Sequence, residues 1–337
     1  MSCPVPRVET ALTYSEPMRF TPEEIEQARR VVHAAIPPTP QYRWPLLRER
    51  LGMDVWVKHE NHTPAGAFKM RGGLVYFEQL ARAQARPAGV IAATRGNHGQ
   101  SVGWGARKHG MHATIVVPHG NSVEKNAAMR ALGVQLVEHG EDFQAAREFA
   151  QGLARERGLH MVPSFHRSLV LGVTTCWLEF FESFQPGEEP AVVYVPIGLG
   201  SGFSAAAAAR AHTGARSRLV GVVSAHATTY LDSFRERSVV AAPVTTQLAD
   251  GMACRLAEEE ALEIVLREAG EVVAVTDDEG AEAMRILFTE THNVAEGAGA
   301  AGLAAAIRMR SRWPGESVGV ALTGGNVDRD VFASVLR

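Results

Sequence analysis

Lysine is rare in this chain, and one lysine has unusually small neighbours. Only four residues are lysines, Lys58, Lys69, Lys108 and Lys125, and Lys69 alone lies between Ala65-Gly-Ala67 and Gly72-Gly73. Small neighbours let a flat cofactor ring approach the backbone closely. A partly desolvated amine loses its proton and becomes a nucleophile toward a carbonyl. Lys69 is therefore a candidate for a Schiff base with pyridoxal phosphate (PLP), although this segment alone is equally compatible with a surface lysine on a helix.

Three further segments carry glycines where a predicted strand ends. Residues 94–101 follow the run 90–94, residues 198–204 follow a strand over 193–196, and Thr323–Asn326 follow a strand over 318–322. The first two segments each precede a helical stretch. Backbone N–H groups and the positive end of a helix dipole hold anions at such turns. We expect the first turn to hold a carboxylate and the second to hold a phosphate.

Two nucleotide-binding alternatives explain the glycine turns less well. A dinucleotide fold requires Asp or Glu about 20 residues after the first glycine, at the end of the next strand. The next predicted strand, Leu219–Val223, is followed by Ser-Ala-His226 without an acid. A P-loop requires Gly-Lys-Ser/Thr, and the chain has no such tripeptide. A single phosphate, such as the one that PLP carries, remains.

The four segments, in this order, resemble the motifs of the fold-type II PLP enzymes, within them the serine/threonine dehydratase and serine racemase family. The Lys69 segment is similar to Gly-Ser-Phe-Lys-x-Arg-Gly, with Ala67 in place of Ser. Residues 94–100 are similar to Ser-Ser-Gly-Asn-His-Gly-Gln, and Thr323–Asn326 to Ser-Gly-Gly-Asn. Residues 198–202 are similar to the tetraglycine phosphate loop. The resemblance runs from about residue 20 to the C-terminus. It implies a two-lobed α/β fold like that of the tryptophan synthase β subunit, and a homodimer.

The resemblance also implies roles for individual residues. Lys69 would carry PLP and then remove the α-proton of the substrate. Phe68 would lie beside the ring, and Asn97 would donate to the phenolic oxygen. Thr323 would face the pyridine nitrogen, where a hydroxyl makes the ring a weaker electron sink than a carboxylate does and favours β-elimination over transamination. The phosphate would be held by Gly198, Leu199, Gly200, Ser201 and Gly202, and the substrate carboxylate by Arg95, Gly96, Asn97, His98 and Gly99.

Two positions depart from the family pattern. Arg95 stands where racemising relatives carry serine, and a guanidinium is a poor proton shuttle. Arg95 could instead contact a carboxylate or aromatic group of the substrate, or form a salt bridge with a neighbour. Val223 stands where the first acid of the family's divalent-cation site would be, so we expect no cation there. Asp250 keeps the Asp-Gly match of the family.

Other candidate residues have plain structural alternatives. Glu296 aligns with a family glutamate near the cofactor, or is an acid at a helix N-terminus. His59 and His62 are three residues apart, but no third ligand is nearby, so we expect no metal site.

Alternation of short β-branched runs with helical stretches predicts parallel sheets covered by helices. We expect a large PLP-binding lobe from residues 1–80 and 167–337 and a small lobe from 81–166. Asn121 with Glu124, and Thr276 with Glu279, are spaced as capping boxes. Strands are predicted over residues 113–117, 135–138, 191–196, 272–275 and 318–322, and helices over 142–157 and 258–268. The glycine turns fall at the carboxyl ends of strands, where ligands bind in such sheets.

The composition excludes several classes of partner. With 337 residues, 46% hydrophobic and 21% charged, and a net charge of −3, the chain resembles an ordinary globular enzyme with no affinity for nucleic acid or membranes. The first 20 residues predict no signal peptide. The cysteines, Cys3, Cys176 and Cys254, form no Cys-x-x-Cys and favour a reducing cytoplasm. Eleven residues follow Asn326, so we expect no C-terminal regulatory domain.

The leading hypothesis is a PLP-dependent ammonia-lyase that converts a β-hydroxy-α-amino acid to a 2-oxo acid and ammonia. Serine and threonine are the default substrates, and phenylserine or hydroxyaspartate remain open. The alternatives are an amino-acid racemase and a PLP-binding carrier or sensor without catalysis.

Overall fold

Two β-sheets organise the computed structural model, which describes residues 18–337. The predictions on the first 17 residues, which concern a signal peptide and Cys3, lie outside the described part. The strands are β1 (Gln41–Arg43), β2 (Val55–His59), β3 (Gly89–Ala93), β4 (His112–Val117), β5 (Gln135–Glu138), β6 (His160–Met161), β7 (Val192–Pro196), β8 (Arg218–Ser224), β9 (Ala269–Val275) and β10 (Val318–Leu322).

One sheet has the order β1-β2-β10-β7-β8-β9 and the other has the order β5-β4-β3-β6. Every pair of neighbouring strands in these two sheets is parallel except β1 with β2. The predicted α/β fold with parallel sheets is therefore confirmed. All four strands of the second sheet lie within the segment 81–166 that was predicted as the small lobe, whose boundaries stay a prediction.

Helices cover both sheets. They are α1 (Pro22–His33), α2 (Pro45–Leu51), α3 (Lys69–Arg82), α4 (Asn97–Lys108), α5 (Val123–Ala131), α6 (Phe143–Arg157), α7 (Arg167–Glu182), α8 (Ser201–Thr213), α9 (Thr229–Glu236), α10 (Glu259–Glu268), α11 (Asp277–Thr291), α12 (Gly297–Met309) and α13 (Arg329–Val335). Short 3₁₀ turns occur at Glu60–His62, Asp250–Met252 and Arg310–Arg312. Within residues 18–337, no helix is long and apolar enough to cross a membrane.

Helix starts follow local capping chemistry. Thr276 and Glu279 form the predicted capping box at α11. The capping box predicted at Asn121 and Glu124 is wrong, because α5 begins one residue later and Ser122 accepts from the N–H of Lys125 at 3.1 Å. The amide of Asn121 instead donates to Oδ1 of Asn126.

Helix α3, which begins at Lys69, is fixed by close contact with α7. A Cβ added to Gly72 would lie 2.7 Å from the carbonyl oxygen of Leu169, and one added to Gly172 would overlap the backbone of Arg71. The two backbones therefore touch where the glycines meet. This contact fixes the first turn of α3 relative to the six-stranded sheet.

A buried ion cluster lies behind the same turn of α3. The guanidinium of Arg71, which is fully buried, donates to both oxygens of Glu60 at 2.7 and 2.9 Å. It also donates to both oxygens of Glu179 at 2.6 and 2.9 Å. The ammonium of Lys58 lies 2.6 Å from Glu179. Burial opposes ionisation of Glu179, but the hydrogen bonds and charges of Arg71 and Lys58 outweigh it and hold its pKa at about 2. Two cations thus balance two carboxylates.

Arg71→Met should destabilise the protein by about 3–5 kcal/mol, because it leaves Glu60 buried without its partner. Arg82→Met is a matched control on the same helix, since Arg82 pairs with Glu78 at the surface, and should cost less than about 0.5 kcal/mol. Urea denaturation of both variants measures the difference. Equal losses of unfolding free energy in the two variants would contradict the assigned role of the cluster.

Candidate active site

A cavity of about 1500 Å³ lies at the carboxyl ends of strands from both sheets. It is bordered by the ends of β3, β7 and β10. Every residue predicted for the site lines it except Gly99. At Gly99 an added Cβ would overlap Met129 and Thr94, so this glycine serves packing behind the loop. The residues that meet in the cavity are Phe68, Lys69, Arg95, Gly96, Asn97, His98, Gly198, Leu199, Gly200, Ser201, Gly202 and Thr323.

The amine of Lys69 is buried beside the second glycine turn. Its Nζ donates to Oγ of Ser201 at 2.9 Å and lies 4.9 Å from the centre of the Phe68 ring. Burial lowers the pKa of Lys69 to about 8. Among residues 18–337, each of the other three lysines has a carboxylate oxygen within 4.0 Å. Lys69 is therefore the lysine whose amine is most readily deprotonated.

The turn at residues 198–202 leaves backbone donors open to an anion. Helix α8 begins at Ser201, and its N-cap, Gly200, has a φ of 97° and makes no side-chain cap. Only a residue without Cβ adopts this conformation at little cost. The carbonyl of Leu199 accepts from the hydroxyl of Tyr230 at 3.0 Å, which fixes the turn. The first N–H groups of α8 have no partner within the helix and suit a phosphate.

The turn at residues 95–99 repeats this arrangement at α4. Gly96 is the N-cap and makes no side-chain cap, and its N–H donates to Oγ1 of Thr94 at 3.0 Å. Within the described part of the chain, Nε of Arg95 and Nε2 of His98 are buried without hydrogen-bond partners. Burial, aided by the charge of Lys69, lowers the pKa of His98 to about 3, so the imidazole is neutral. Unpaired polar atoms at a helix N-terminus suit an anionic ligand.

Two residues hold the side chain of Asn97, and they come from segments that follow β9 and β10 of the six-stranded sheet. Its Nδ2 donates to Oε1 of Glu296 at 2.6 Å, and its Oδ1 accepts from Nδ2 of Asn326 at 2.9 Å. Asn326 also donates to the carbonyl of Ala65 at 2.8 Å. An amide nitrogen carries two hydrogens. One N–H of Asn97 therefore remains for a ligand.

Thr323 lies next to Lys69 because two segments pair along their backbones. The N–H of Phe68 donates to the carbonyl of Thr323 at 3.0 Å, and the N–H of Gly325 donates to the carbonyl of Gly66 at 2.9 Å. A strand end from β10 and the first turn of α3 are thus fixed side by side. The predicted juxtaposition of Thr323 and Lys69 follows from this pairing.

Lys125 is the residue that reasoning from the sequence missed. Its Nζ lies 2.7 Å from Oδ2 of Asp250 and 3.0 Å from Oε2 of Glu296. Burial opposes its charge, but Glu296 and Asp250 outweigh burial and raise the pKa of Lys125 above its usual range. Its sequence context is that of an ordinary surface helix, and only the scarcity of lysine in the chain distinguishes it.

His59 and His62, the histidine pair that lies three residues apart, each contact a protein group. Nε2 of His59 accepts from Nε1 of Trp44 at 3.0 Å, and Nε2 of His62 lies 2.7 Å from Oδ1 of Asn293. Within residues 18–337, no three His, Cys, Asp or Glu side chains are grouped so that they could hold a metal ion. The absence of a cation at Val223 stays a prediction.

These features together fit PLP. The cofactor needs a reactive amine, donors for a phosphate, and polar partners for its ring. Lys69, with its lowered pKa, supplies the reactive amine. The open N-terminus of α8 supplies donors for the phosphate. The free N–H of Asn97 and Thr323 at the cavity wall supply polar partners for the ring.

Comparison with known proteins gives the family. The family described as "Pyridoxal-phosphate dependent enzyme" matches residues 32–324. An L-threonine ammonia-lyase of Thermotoga maritima is 31% identical over 319 residues, which cover 94% of this chain and 78% of that protein. An L-threo-3-hydroxyaspartate ammonia-lyase of a Pseudomonas species is 30% identical, with coverage of 89% and 93%. The crystal structure of a threonine deaminase from T.th. has a TM-score of 0.82 at 29% identity and covers 91% of this chain and 99% of that one. The chain therefore belongs to the fold-type II pyridoxal-phosphate dependent enzymes and is a carbon–oxygen lyase of the threonine/serine dehydratase type.

Proposed function

We propose that the protein is an ammonia-lyase for a β-hydroxy-α-amino acid, which loses water and is released as an enamine that hydrolyses to a 2-oxo acid and ammonia. The observation that carries this proposal is the amine of Lys69, which is buried, has a pKa of about 8 and lies beside the open N-terminus of α8. Curated relatives with the names of ammonia-lyases support the same reaction class.

PLP supplies an aldehyde that reacts with amines and a ring that withdraws electrons from the α-carbon. Lys69 would hold the cofactor and, when displaced by the substrate amine, accept the α-proton. A pKa of about 8 leaves roughly a tenth of such an amine unprotonated at pH 7, against less than a thousandth for an ordinary lysine. The N–H groups at the start of α8 would bind the phosphate.

The turn at residues 95–99 would bind the substrate carboxylate at the N-terminus of α4. Thr323 would present a hydroxyl to the pyridine nitrogen. Because a hydroxyl does not hold that nitrogen protonated as a carboxylate does, electron withdrawal is weaker and early loss of the β-hydroxyl is favoured. Arg95 stands where a racemase needs a second proton donor, and its guanidinium is a poor one. This argues for elimination over racemisation.

The side chain of Arg95 favours a substrate that carries a hydrogen-bond acceptor beyond its β-carbon. Its Nε is buried at the cavity without a partner among residues 18–337, and a buried unpaired donor costs about 1–3 kcal/mol. A carboxylate such as that of 3-hydroxyaspartate would satisfy it, whereas the methyl group of threonine would not.

We also propose, from the resemblance to the family, that the protein is a homodimer and has a cytoplasmic location. Size-exclusion chromatography with light scattering tests the homodimer.

Lys69→Ala should abolish both covalent attachment of PLP and turnover, since no other described lysine has an amine free of carboxylates. Borohydride reduction followed by peptide mapping of the wild-type protein should place the label on Lys69. Lys108→Ala is the control and should behave as wild type. A label on Lys58 or Lys108 would reject the assignment.

Loading of the apoprotein with PLP should accelerate as pH rises through about 8, because only the neutral amine of Lys69 reacts and burial lowers its pKa to about 8. The rate should level off above about pH 9. Stopped-flow absorbance from about pH 6.5 to about pH 10.5 measures this, with N-acetyl-lysine as the reference amine. A rate that keeps rising to about pH 10, as for an ordinary lysine, would contradict a desolvated Lys69.

Arg95→Ser should raise the KM for 3-hydroxyaspartate about tenfold or more and leave the KM for threonine within about threefold, because only the first substrate offers the guanidinium an anion. Arg147→Ser is the matched control, since Arg147 lines the same cavity but is exposed. A uniform loss across serine, threonine, 3-hydroxyaspartate and phenylserine would instead indicate a disturbed carboxylate-binding turn.

A further inference from the structure

The ion cluster of Lys125, Asp250 and Glu296 joins the two sheets at the edge of the cavity. Lys125 is on α5, beside the four-stranded sheet, whereas Asp250 and Glu296 come from segments that follow β8 and β9. Lys125 is 5% exposed and Glu296 is 3% exposed. A buried ion pair is a weak source of stability compared with apolar packing of the same volume. The role of this cluster therefore depends on the residues that it positions.

Glu296 links Lys125 to Asn97. One carboxylate oxygen of Glu296 faces Lys125 at 3.0 Å, and the other accepts from the amide nitrogen of Asn97 at 2.6 Å. The amide oxygen of Asn97 is already used by Asn326. An ionised carboxylate accepts at both oxygens, whereas a protonated one donates at one of them. The orientation of the Asn97 amide thus depends on the ionisation of Glu296.

We propose that Lys125 is a positioning residue for the cofactor, which keeps Glu296 ionised and thereby holds the Asn97 amide with one N–H directed to its ligand. This inference rests on the proposed function, because there Asn97 contacts PLP. Lys125 itself touches the carboxylate-binding turn as well, since a Cβ added to Gly96 would overlap its side chain.

The charges around Glu296 set the direction of the effect. The pKa of Glu296 lies above its usual range, because burial raises it most; Lys125 on α5 opposes this rise, and Asp250 on the 3₁₀ turn adds to it. Without Lys125, the buried carboxylate of Glu296 would face the partly exposed carboxylate of Asp250 with no cation between them, so Glu296 would take up a proton at a higher pH than in the wild type. Below that pH, Asn97 would lose its charged acceptor, and a protonated Glu296 that turns its O–H toward Asn97 would offer it a donor in place of an acceptor.

Helix α5 is anchored independently of Lys125. The hydroxyl of Ser122 and the N–H groups of Val123 and Glu124 donate to the carboxylate of Asp328, and the N–H of Arg329 donates to Oε1 of Glu124 at 2.8 Å. The N-termini of α5 and α13 thus cap each other across the two sheets. A Lys125 variant is therefore expected to keep α5 in place.

The test is the visible absorption of bound PLP in the holoenzyme from about pH 6 to about pH 10, together with the Kd for PLP of the apoprotein. Lys125→Met should introduce a pH-dependent absorbance step that the wild type lacks, and should raise the Kd on the acidic side about tenfold or more. In the double variant Lys125→Met/Glu296→Gln the step should vanish and the Kd should recover, because an amide does not titrate and its oxygen still accepts from Asn97. Lys108→Met is the matched control.

Three results would overturn the inference. The first is a Lys125→Met variant whose absorption spectrum and Kd for PLP equal those of the control Lys108→Met. The second is a step that persists in the double variant, because a group other than Glu296 then titrates. If Lys125→Met does not fold, the single variant Glu296→Gln decides. Because the ammonium of Lys125 is still present, the new amide must turn its oxygen to Lys125 and its NH₂ group to Asn97. The third contradicting result is therefore an unchanged Kd for PLP in Glu296→Gln. A wild-type protein that binds no PLP would instead reject the proposed function.

Discussion

The buried amine of Lys69, which has no carboxylate partner among the described residues, is the constraint around which the other charges of the site are arranged. Its pKa stays near 8 only while no carboxylate approaches it. Two clusters of acids lie nearby, and each has its own cations. Arg71 and Lys58 neutralise Glu60 and Glu179, and Lys125 pairs with Asp250 and Glu296. Each of these acids thus has a cationic partner, and burial is the effect that lowers the pKa of Lys69.

The residues that line the cavity come from both sheets, and backbone geometry joins them. The turn at residues 95–99 follows β3 in one sheet, while the turn at 198–202 and Thr323 follow β7 and β10 in the other. Open helix N-termini supply anion sites that need no charged side chain. This leaves the charged side chains of the cavity available for other tasks, such as fixing Asn97.

The sequence revealed what is local, and the structure was needed for what is not. Strand ends followed by glycine, a lysine among small residues, and a threonine before two glycines identify the family, the parallel sheets and the cofactor. The capping box at Asn121 failed by one residue, because Ser122 and Asn121 are both good caps and only the contact with Asp328 distinguishes them. The ion clusters could not be predicted, since Lys125 and Glu296 are far apart in the chain and no local pattern couples a helical lysine to a distant acid.

If the protein has the proposed function, discrimination between substrates in this cavity would rest on its polar groups and not on its volume. The cavity of about 1500 Å³ would hold the cofactor as well as the substrate, so its volume alone does not rank serine, threonine, hydroxyaspartate and phenylserine. Among the described residues that line the cavity, two have a buried nitrogen without a hydrogen-bond partner, Arg95 and His98, and these two nitrogens suit different ligands. His98 is neutral because its pKa is about 3, so it can accept or donate one hydrogen bond but adds no charge. The guanidinium of Arg95 has only donors, and its unpaired nitrogen is stabilised most by an anion. If the protein has the proposed function, its preference among β-hydroxy amino acids would therefore be set by whether the substrate side chain brings a negative charge to Arg95.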